Sequence, residues 1–509
     1  MVLGTLAQRA MRRASFLKGY FLGNRGLGAW ALALTATVQS GGTFMGFPSL
    51  VYSHGWVVAI WISSYMVVPL TAFALIGKRV ARFSRRLGAI TLPDLLRERF
   101  GSPRVGLAAS LFILFFLTFN MVAQFKAGAL IMKVAWPDTG VFALPRNVPG
   151  SLDPAYYLGL GIFAFTVVGY TVIGGFLGAV WTDLLQSLMM FVGVLVLLVF
   201  AVSAAGGTEE ATRKAVEATG PEYAFAPGYS KDGRLFLPLG LAVSFFLIWS
   251  FTGTGQPSSM VRVMASRNTQ TMRRSIFLLA FYNFLIYVPL IMICICGRAL
   301  IPDLPQGKTD EIVPRLALKT TSGVPGGSLI AGLILAAPFG AVMSTVSSYL
   351  VVIASGLVRD VYQRFINPVA GERRLRVLSG VVLASVGLIA VLANLRPVDY
   401  LQAIIVFSGT GAASTFLMPV VLALYWRRAT AAGCMAGMVA GAGTVLLLMI
   451  AGWLGPDPLI GQATKFRPYF LLGLDPFPWG LAASLAAGVG VSLATRPPEP
   501  ARVSDLFER

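Results

Sequence analysis

Apolar runs of about 18 or more residues recur from one end of the chain to the other, and each is long enough to cross a bilayer as a helix. The pattern predicts twelve spans. In order they are Leu27–Tyr52, Trp56–Gly77, Val105–Val134, Ala155–Ile173, Ala179–Ala205 and Leu235–Thr254, then Ser275–Cys296, Gly327–Val358, Val377–Leu395, Tyr400–Trp426, Ala431–Gly452 and Phe477–Thr495. Met1–Gly26 is basic, too polar to span, and has no long apolar region of the signal-peptide kind.

Two spans are interrupted. The first carries Gln39-Ser-Gly-Gly-Thr-Phe-Met-Gly-Phe-Pro48 in its middle, and the sixth ends in Gly253-Thr-Gly-Gln-Pro257. Glycine and proline weaken a helix, and backbone groups freed inside a membrane must find protein partners. Interruptions in spans 1 and 6, five apart, are the spacing of two inverted five-helix repeats whose first helices unwind around a substrate; kinks that serve packing alone are the other reading. A second irregularity lies in span 8, where Ser344, Thr345, Ser347 and Ser348 crowd into five positions. Such hydroxyls can return a hydrogen bond to their own helix or glue helices together. They can also supply oxygen ligands to a small hard cation, which in a membrane must come from protein or trapped water.

Composition narrows the class. The chain has 509 residues, 56% hydrophobic and 12% charged, with a mean hydropathy of +0.74. That is about half the charge of a soluble domain, so this is an all-α polytopic membrane protein. The net charge of +20 does not point to nucleic acid. With the twelve spans in place, 27 of the 41 Lys and Arg fall on the side that holds both termini, which the positive-inside rule makes cytoplasmic. The cell membrane is the expected location. Cys294, Cys296 and Cys434 sit in or beside apolar helices and form no disulfide or metal framework, and His54 is the only histidine. No His/Asp or Cys/His constellation for an enzyme is found. The organisation reads as a basic segment 1–26, a first repeat 27–205, an external loop 206–234, a second repeat 235–426, two further helices in 427–495 and a tail 496–509.

Several segments in the right order resemble the sodium/solute symporter family, and its proline and pantothenate branches in particular. Gly174-Gly-Phe-Leu-Gly-Ala-Val-Trp-Thr-Asp183-Leu-Leu-Gln186 is similar to the start of the family's fifth core helix. Ala341-Val-Met-Ser-Thr-Val-Ser-Ser348 and Arg359-Asp-Val-Tyr362 resemble the eighth. Tyr20-Phe-Leu-Gly-Asn-Arg25, Gly255-Gln-Pro257 with Arg262, and Leu424-Tyr-Trp-Arg-Arg428 complete the set, over roughly residues 19–435. The resemblance implies a LeuT-like fold of five-plus-five inverted repeats and sodium-driven import of a small organic solute by alternating access. Typical members have one more spanning helix before the Tyr20 segment. Met1–Ala7 resembles the tail of that helix, so either translation starts further upstream or the helix is lost.

The resemblance also implies sites. A sodium site would use the carbonyls of Ala36, Gln39 and Ala341 with the hydroxyls of Ser344 and Thr345. A second sodium set would be Asp183, Ser347 and Ser348, with Ser344 shared; Asp183 as a cap or structural partner in span 5 is the alternative. The substrate would lie at Gly42, Thr43 and the ring of Trp249. Lys126, in Gln124-Phe-Lys-Ala-Gly128 of span 3, would attract an anionic substrate, pair with a carboxylate or reach outward into a vestibule. The coupling ion is Na⁺, with no organic cofactor and no obligatory protein partner, and the solute is a carboxylate, amino acid or vitamin-like anion. The competing mechanism is proton coupling through Asp183 or Lys126; a transporter-like sensor is a further reading.

Overall fold

The computed structural model describes residues 20–36, 40–136, 144, 153–231, 233–396, 401–462, 464, 466–499, 504 and 506–507, and these contain helices and no strands. Nine helices among them are long and apolar enough to cross a membrane, and one bent pair adds a tenth. The first span is in two pieces, α1 (Ala29–Ala36) and α2 (Phe47–His54), with a π-helical turn at Gly42–Gly46 leading into α2. Next come α3 (Val57–Leu87), the short amphipathic α4 (Leu92–Phe100), α5 (Pro103–Ala135) and α6 (Pro154–Ala205). The sixth span is the bent pair α7 (Leu239–Gly255) and α8 (Pro257–Met264), followed by α9 (Thr269–Leu300). A loop helix, α10 (Ile312–Thr321), precedes α11 (Gly327–Ile366), α12 (Glu372–Ala393), α13 (Leu401–Tyr425), α14 (Ala431–Leu454) and α15 (Pro476–Ala494).

Burial ranks these helices. Of the most apolar stretch of α13, 83% is inside the protein, and of α11, 67%; for α15 the share is 28%. The centre is therefore α11 and α13, with α15 facing outward to lipid. The polar hydroxyls of span 8 thus lie in one of the two most enclosed helices.

Three boundaries differ from the sequence expectation, each for a local reason. Spans 4 and 5 run on as one 52-residue element. At 1.5 Å per residue this is about 78 Å, more than twice a hydrocarbon core. Its break is a single residue, Gly175, at φ 52° and ψ −146°. Tyr20 lies against that break, and its hydroxyl donates to the carbonyls of Thr171 (3.3 Å) and Val172 (3.0 Å), which the kink would otherwise strand. Span 6 does not end at Gly-Gln-Pro: extended backbone at Gln256 bends it by 46°, and it resumes with Pro257 in the first turn, where a missing N–H costs nothing. Span 8 continues past Val358 as a π-helical stretch to Ile366.

A Cβ at Gly175 would sit 2.6 Å from the Tyr20 ring, and the residue's φ is one that side chains rarely adopt. Gly175→Ala is expected to cost about 1–3 kcal/mol. Thermal unfolding of the purified protein in detergent measures this; an unshifted melting temperature would mean that the kink does not depend on glycine.

Candidate functional site

The hydroxyl cluster is organised by the helix that carries it. The Ser344 and Thr345 hydroxyls both donate to the Ala341 carbonyl, at 2.9 and 3.1 Å, while those of Ser347 and Ser348 donate to the Ser344 carbonyl, at 3.0 and 2.7 Å. All four side chains are buried. Ala341, Ser344 and Thr345 thus bring three neutral oxygens together on one buried stretch, the ligand type that a small hard cation takes. The break of the first span comes close to it: a Cβ on Gly41 would lie 3.4 Å from Val342. Ala36 is the last residue of α1, and the Ser187 hydroxyl ties α6 to α1 through the Leu34 carbonyl at 3.1 Å. Gln39 lies outside the described residues.

Asp183 meets a different partner from the one expected of it. Its Oδ2 is 2.6 Å from Nη2 of Arg262, and both side chains are 2% exposed. The same Nη2 donates to the Ser348 hydroxyl. A guanidinium therefore joins Asp183 to Ser348. Oδ1 of Asp183 and Nη1 of Arg262 have no hydrogen-bond partner among the described residues, although both are buried. Charge counting put Arg262 in a cytoplasmic loop; it lies in α8, which resumes after the bend and carries it inward. The sign that could have revealed this was in the sequence, since Arg262 falls five residues after Pro257, on the same helix.

The backbone freed by the first break is answered by side chains. The Gly41 N–H donates to Oε1 of Gln124 at 2.8 Å, and Nε2 of Gln124 donates to Oδ1 of Asn120 at 3.0 Å. The Gly42 N–H donates to the Ser40 hydroxyl at 3.1 Å, and Thr43 shares a hydrogen bond with Tyr287 at 3.1 Å. Beside this break lies a cavity of about 70 Å³ lined by Ser40, Tyr65, Asn120, Trp249, Gln256 and Tyr349 among others, with no charged side chain in the lining. Trp249 is among the lining residues, and its buried Nε1 has no hydrogen-bond partner among the described residues. Tyr349 donates to Oε1 of Gln256 at 3.0 Å. Gly42 and Thr43 are buried next to this region but not in the cavity's lining. Asn120, Gln124, Tyr65 and Tyr349 were missed. Asn120 and Gln124 are four apart in a largely apolar span, a polar pair on one helix face that spacing alone could have flagged.

Lys126 is not in this cavity. Its ammonium is 3.9 Å from Asp310 Oδ2, in the turn Gln306–Glu311 before α10. That carboxylate lies in a turn between spans rather than within a spanning helix. Burial pushes the Asp310 carboxyl up from its ordinary range, and Lys126 opposes that shift. Asp310 also lines a second, larger cavity of about 390 Å³ with Gly46, Ser49, Arg298, Asp303 and Gln402.

Two helices broken around a buried polar cavity, beside a cluster of neutral oxygens on a central helix, define an ion-coupled membrane transporter of the LeuT-like inverted-repeat fold. The chain belongs to the sodium:solute symporter family, whose model matches residues 20–441. It is 30% identical to the sodium/pantothenate symporter of Haemophilus influenzae over 447 residues, covering 86% of each chain. It is 27% identical to the high-affinity proline transporter PutP of Bacillus subtilis over 504 residues, covering 98% of this chain and 97% of that one. A Na⁺-coupled sialic acid symporter in a substrate-bound outward-open state has the same fold, with a TM-score of 0.72 at 20% identity, over 98% of this chain and 96% of that one. The chain is thus a sodium-coupled symporter of a small organic solute.

Removing one member of a buried ion pair leaves an uncompensated charge. Arg262→Gln is expected to lower stability by about 3–5 kcal/mol, while adding Asp183→Asn to it recovers most of that loss. Thermal or denaturant unfolding of the parent, the two single variants and the double in detergent gives the cycle; a double variant as unstable as Arg262→Gln would show that the pair's charges are not what matters.

Proposed function

We propose that one Na⁺ binds between α1 and α11, held by the carbonyls of Ala36, Gln39 and Ala341 and the hydroxyls of Ser344 and Thr345. The observation that carries this is the gathering of the Ala341 carbonyl and the Ser344 and Thr345 hydroxyls, all neutral oxygens, on a buried stretch of α11 beside the broken first span. The second set is read differently from the sequence expectation: Arg262 takes the cationic place between Asp183 and Ser348, while the Ser347 hydroxyl turns back to its own helix, and the coupling stoichiometry is one Na⁺. The reading keeps twelve spans, two inverted repeats in 27–205 and 235–426, and both termini in the cytoplasm of a bacterial cell.

The solute binds in the uncharged cavity. Amide, hydroxyl and aromatic groups of Asn120, Gln256, Ser40, Tyr65 and Trp249 line it, which suits a small molecule with hydroxyl or amide groups. A carboxylate on that solute would be balanced by the co-bound Na⁺ and by helix ends, since no lysine or arginine lines the cavity. The anionic solute class expected from the sequence therefore stands, with sodium rather than Lys126 as its counter-charge. The names of the relatives supply the first solutes to try, pantothenate and proline. Proton coupling through Asp183 or Lys126 is less well supported, because each faces an opposite charge.

Losing a hydroxyl ligand to a charged partner is worth about 1.5–3 kcal/mol, or roughly 10- to 100-fold in affinity. Ser344→Ala and Thr345→Ala are each expected to raise the Na⁺ concentration for half-maximal thermal stabilisation by at least about tenfold, while Ser347→Ala shifts it by less than about threefold. Uptake of labelled pantothenate, proline and monocarboxylates with choline replacing Na⁺ at fixed pH tests the coupling; uptake that is indifferent to Na⁺ would end the sodium model.

A further inference from the structure

The two cavities are close neighbours that do not share a wall freely. Along α13, Gln402 lines the larger one and Ile405 the smaller, three residues or about 4.5 Å apart. Along the first span, Gly46 and Ser49 line the larger cavity and Ser40 the smaller. Between them the helices are in close contact: a Cβ on Gly46 would run into the side-chain carbonyl of Gln402. One turn of helix from each side is therefore the partition. By the positive-inside assignment the larger cavity is on the outer face, with His54, Tyr229 and Asp303 around it.

The turn Gln306–Glu311 lies across this partition and is fastened at three places. Thr309 hydrogen-bonds Ser49 of α2 at 2.6 Å. Asp310 faces Lys126 of α5 and is stabilised by the Leu401 N–H at the start of α13 and by the Ser49 hydroxyl. Glu311 lies 3.7 Å from Lys133, two turns along α5, and pairs with Arg315 of α10. The strap thus ties the halves of the partition, α2 and α13, to α5. Lys126 and Asp310 are only 11% and 14% exposed, but Asp310 also lines the outer cavity. Water entering the cavity re-solvates Asp310 when the pair parts, which lowers the cost of separating it from Lys126. Apolar packing at the same place would resist wetting.

We propose that Lys126 and Asp310 form a releasable latch: while paired they hold the strap over the Gly46–Gln402 contact and keep the outer cavity cut off from the solute cavity, and the pair parts each time that path opens. This rests on the transport reading above and makes Lys126 a positioning residue rather than a solute ligand.

The test reads access rather than stability. The native cysteines are buried, so Thr252→Cys, in the lining of the smaller cavity, is the reporter in whole cells. Its rate of modification by a membrane-impermeant thiol reagent from outside is measured in otherwise native protein, in K126Q, in D310N, in Lys126→Arg and in the swap K126D with D310K. The singles are expected to label about three- to tenfold faster, the scale on which a partly buried pair biases an equilibrium, while Lys126→Arg and the swap label at the parent rate. Singles that label at the parent rate, or a rise that Lys126→Arg and the swap share, would overturn the latch. Should either single fail to reach the membrane, Lys126→Met with Asp310→Leu, which removes both charges at once, is read in its place against the same two outcomes. The transport reading is checked separately by adding Na⁺ to the parent: labelling indifferent to Na⁺ counts against sodium coupling and leaves the comparison among variants intact.

Discussion

A bilayer supplies no water to a backbone group released from its helix, and the structure around the first span is a response to that constraint. The break at Gly41–Gly46 would strand amide donors in the middle of the protein. Gln124 reaches from α5 to take the Gly41 N–H, and Asn120 orients Gln124 in turn. Ser40 and Tyr287 deal with what remains at Gly42 and Thr43. Once those partners are fixed, the position of α5 against the first span is fixed too, and the solute cavity is the space they leave beside α7, α11 and α13. The kink at Gly175 follows the same logic with Tyr20 as the donor. The polar residues of this protein are the means by which irregular helices are kept in place.

Charge obeys a stricter version of the same rule. An unpaired ion deep in the protein costs several kcal/mol, and several ions here are met by opposites. Asp183 faces Arg262, Lys126 faces Asp310, and Lys133 faces Asp153 and Glu311. The first two pairs differ in their surroundings. Asp183 and Arg262 are enclosed, so separating them would be expensive; they suit a permanent joint between α6, α8 and α11. Asp310 borders the larger cavity, where water can reach it as the pair parts.

The sequence made the larger plan legible because the plan is written in local chemistry. Apolar runs mark spans, Gly and Pro mark the two breaks, and four hydroxyls in five positions mark α11, each readable without knowing what lies opposite. What was not legible depended on distance partners. Arg262 looked like a loop residue because the Gly-Gln-Pro bend reads as a helix end, whereas proline in a first turn lets the helix restart and carry arginine inward. The partner of Lys126 sits in a turn outside any apolar run, so no span pattern could supply it. Gly175 was hidden among the glycines between spans 4 and 5, in a segment read for its family resemblance and not for a kink. In each case the sequence showed one half of an interaction whose other half lies 79 to 184 residues away along the chain.

On the proposed reading, the uncharged cavity gives these observations a common direction. Lys126 and Arg262 each face an anion, so a cation that arrives at Ala341, Ser344 and Thr345 meets neutral oxygens and brings an uncompensated charge with it. A solute carboxylate nearby is then attracted by that charge, and its own binding strengthens the hold on the ion, since coupling free energies are reciprocal. A lysine in the cavity would have removed this dependence by binding the anion without sodium. Keeping Lys126 outside, locked to Asp310, and Arg262 on the far side, locked to Asp183, is thus what leaves sodium as the cation on which solute binding can depend.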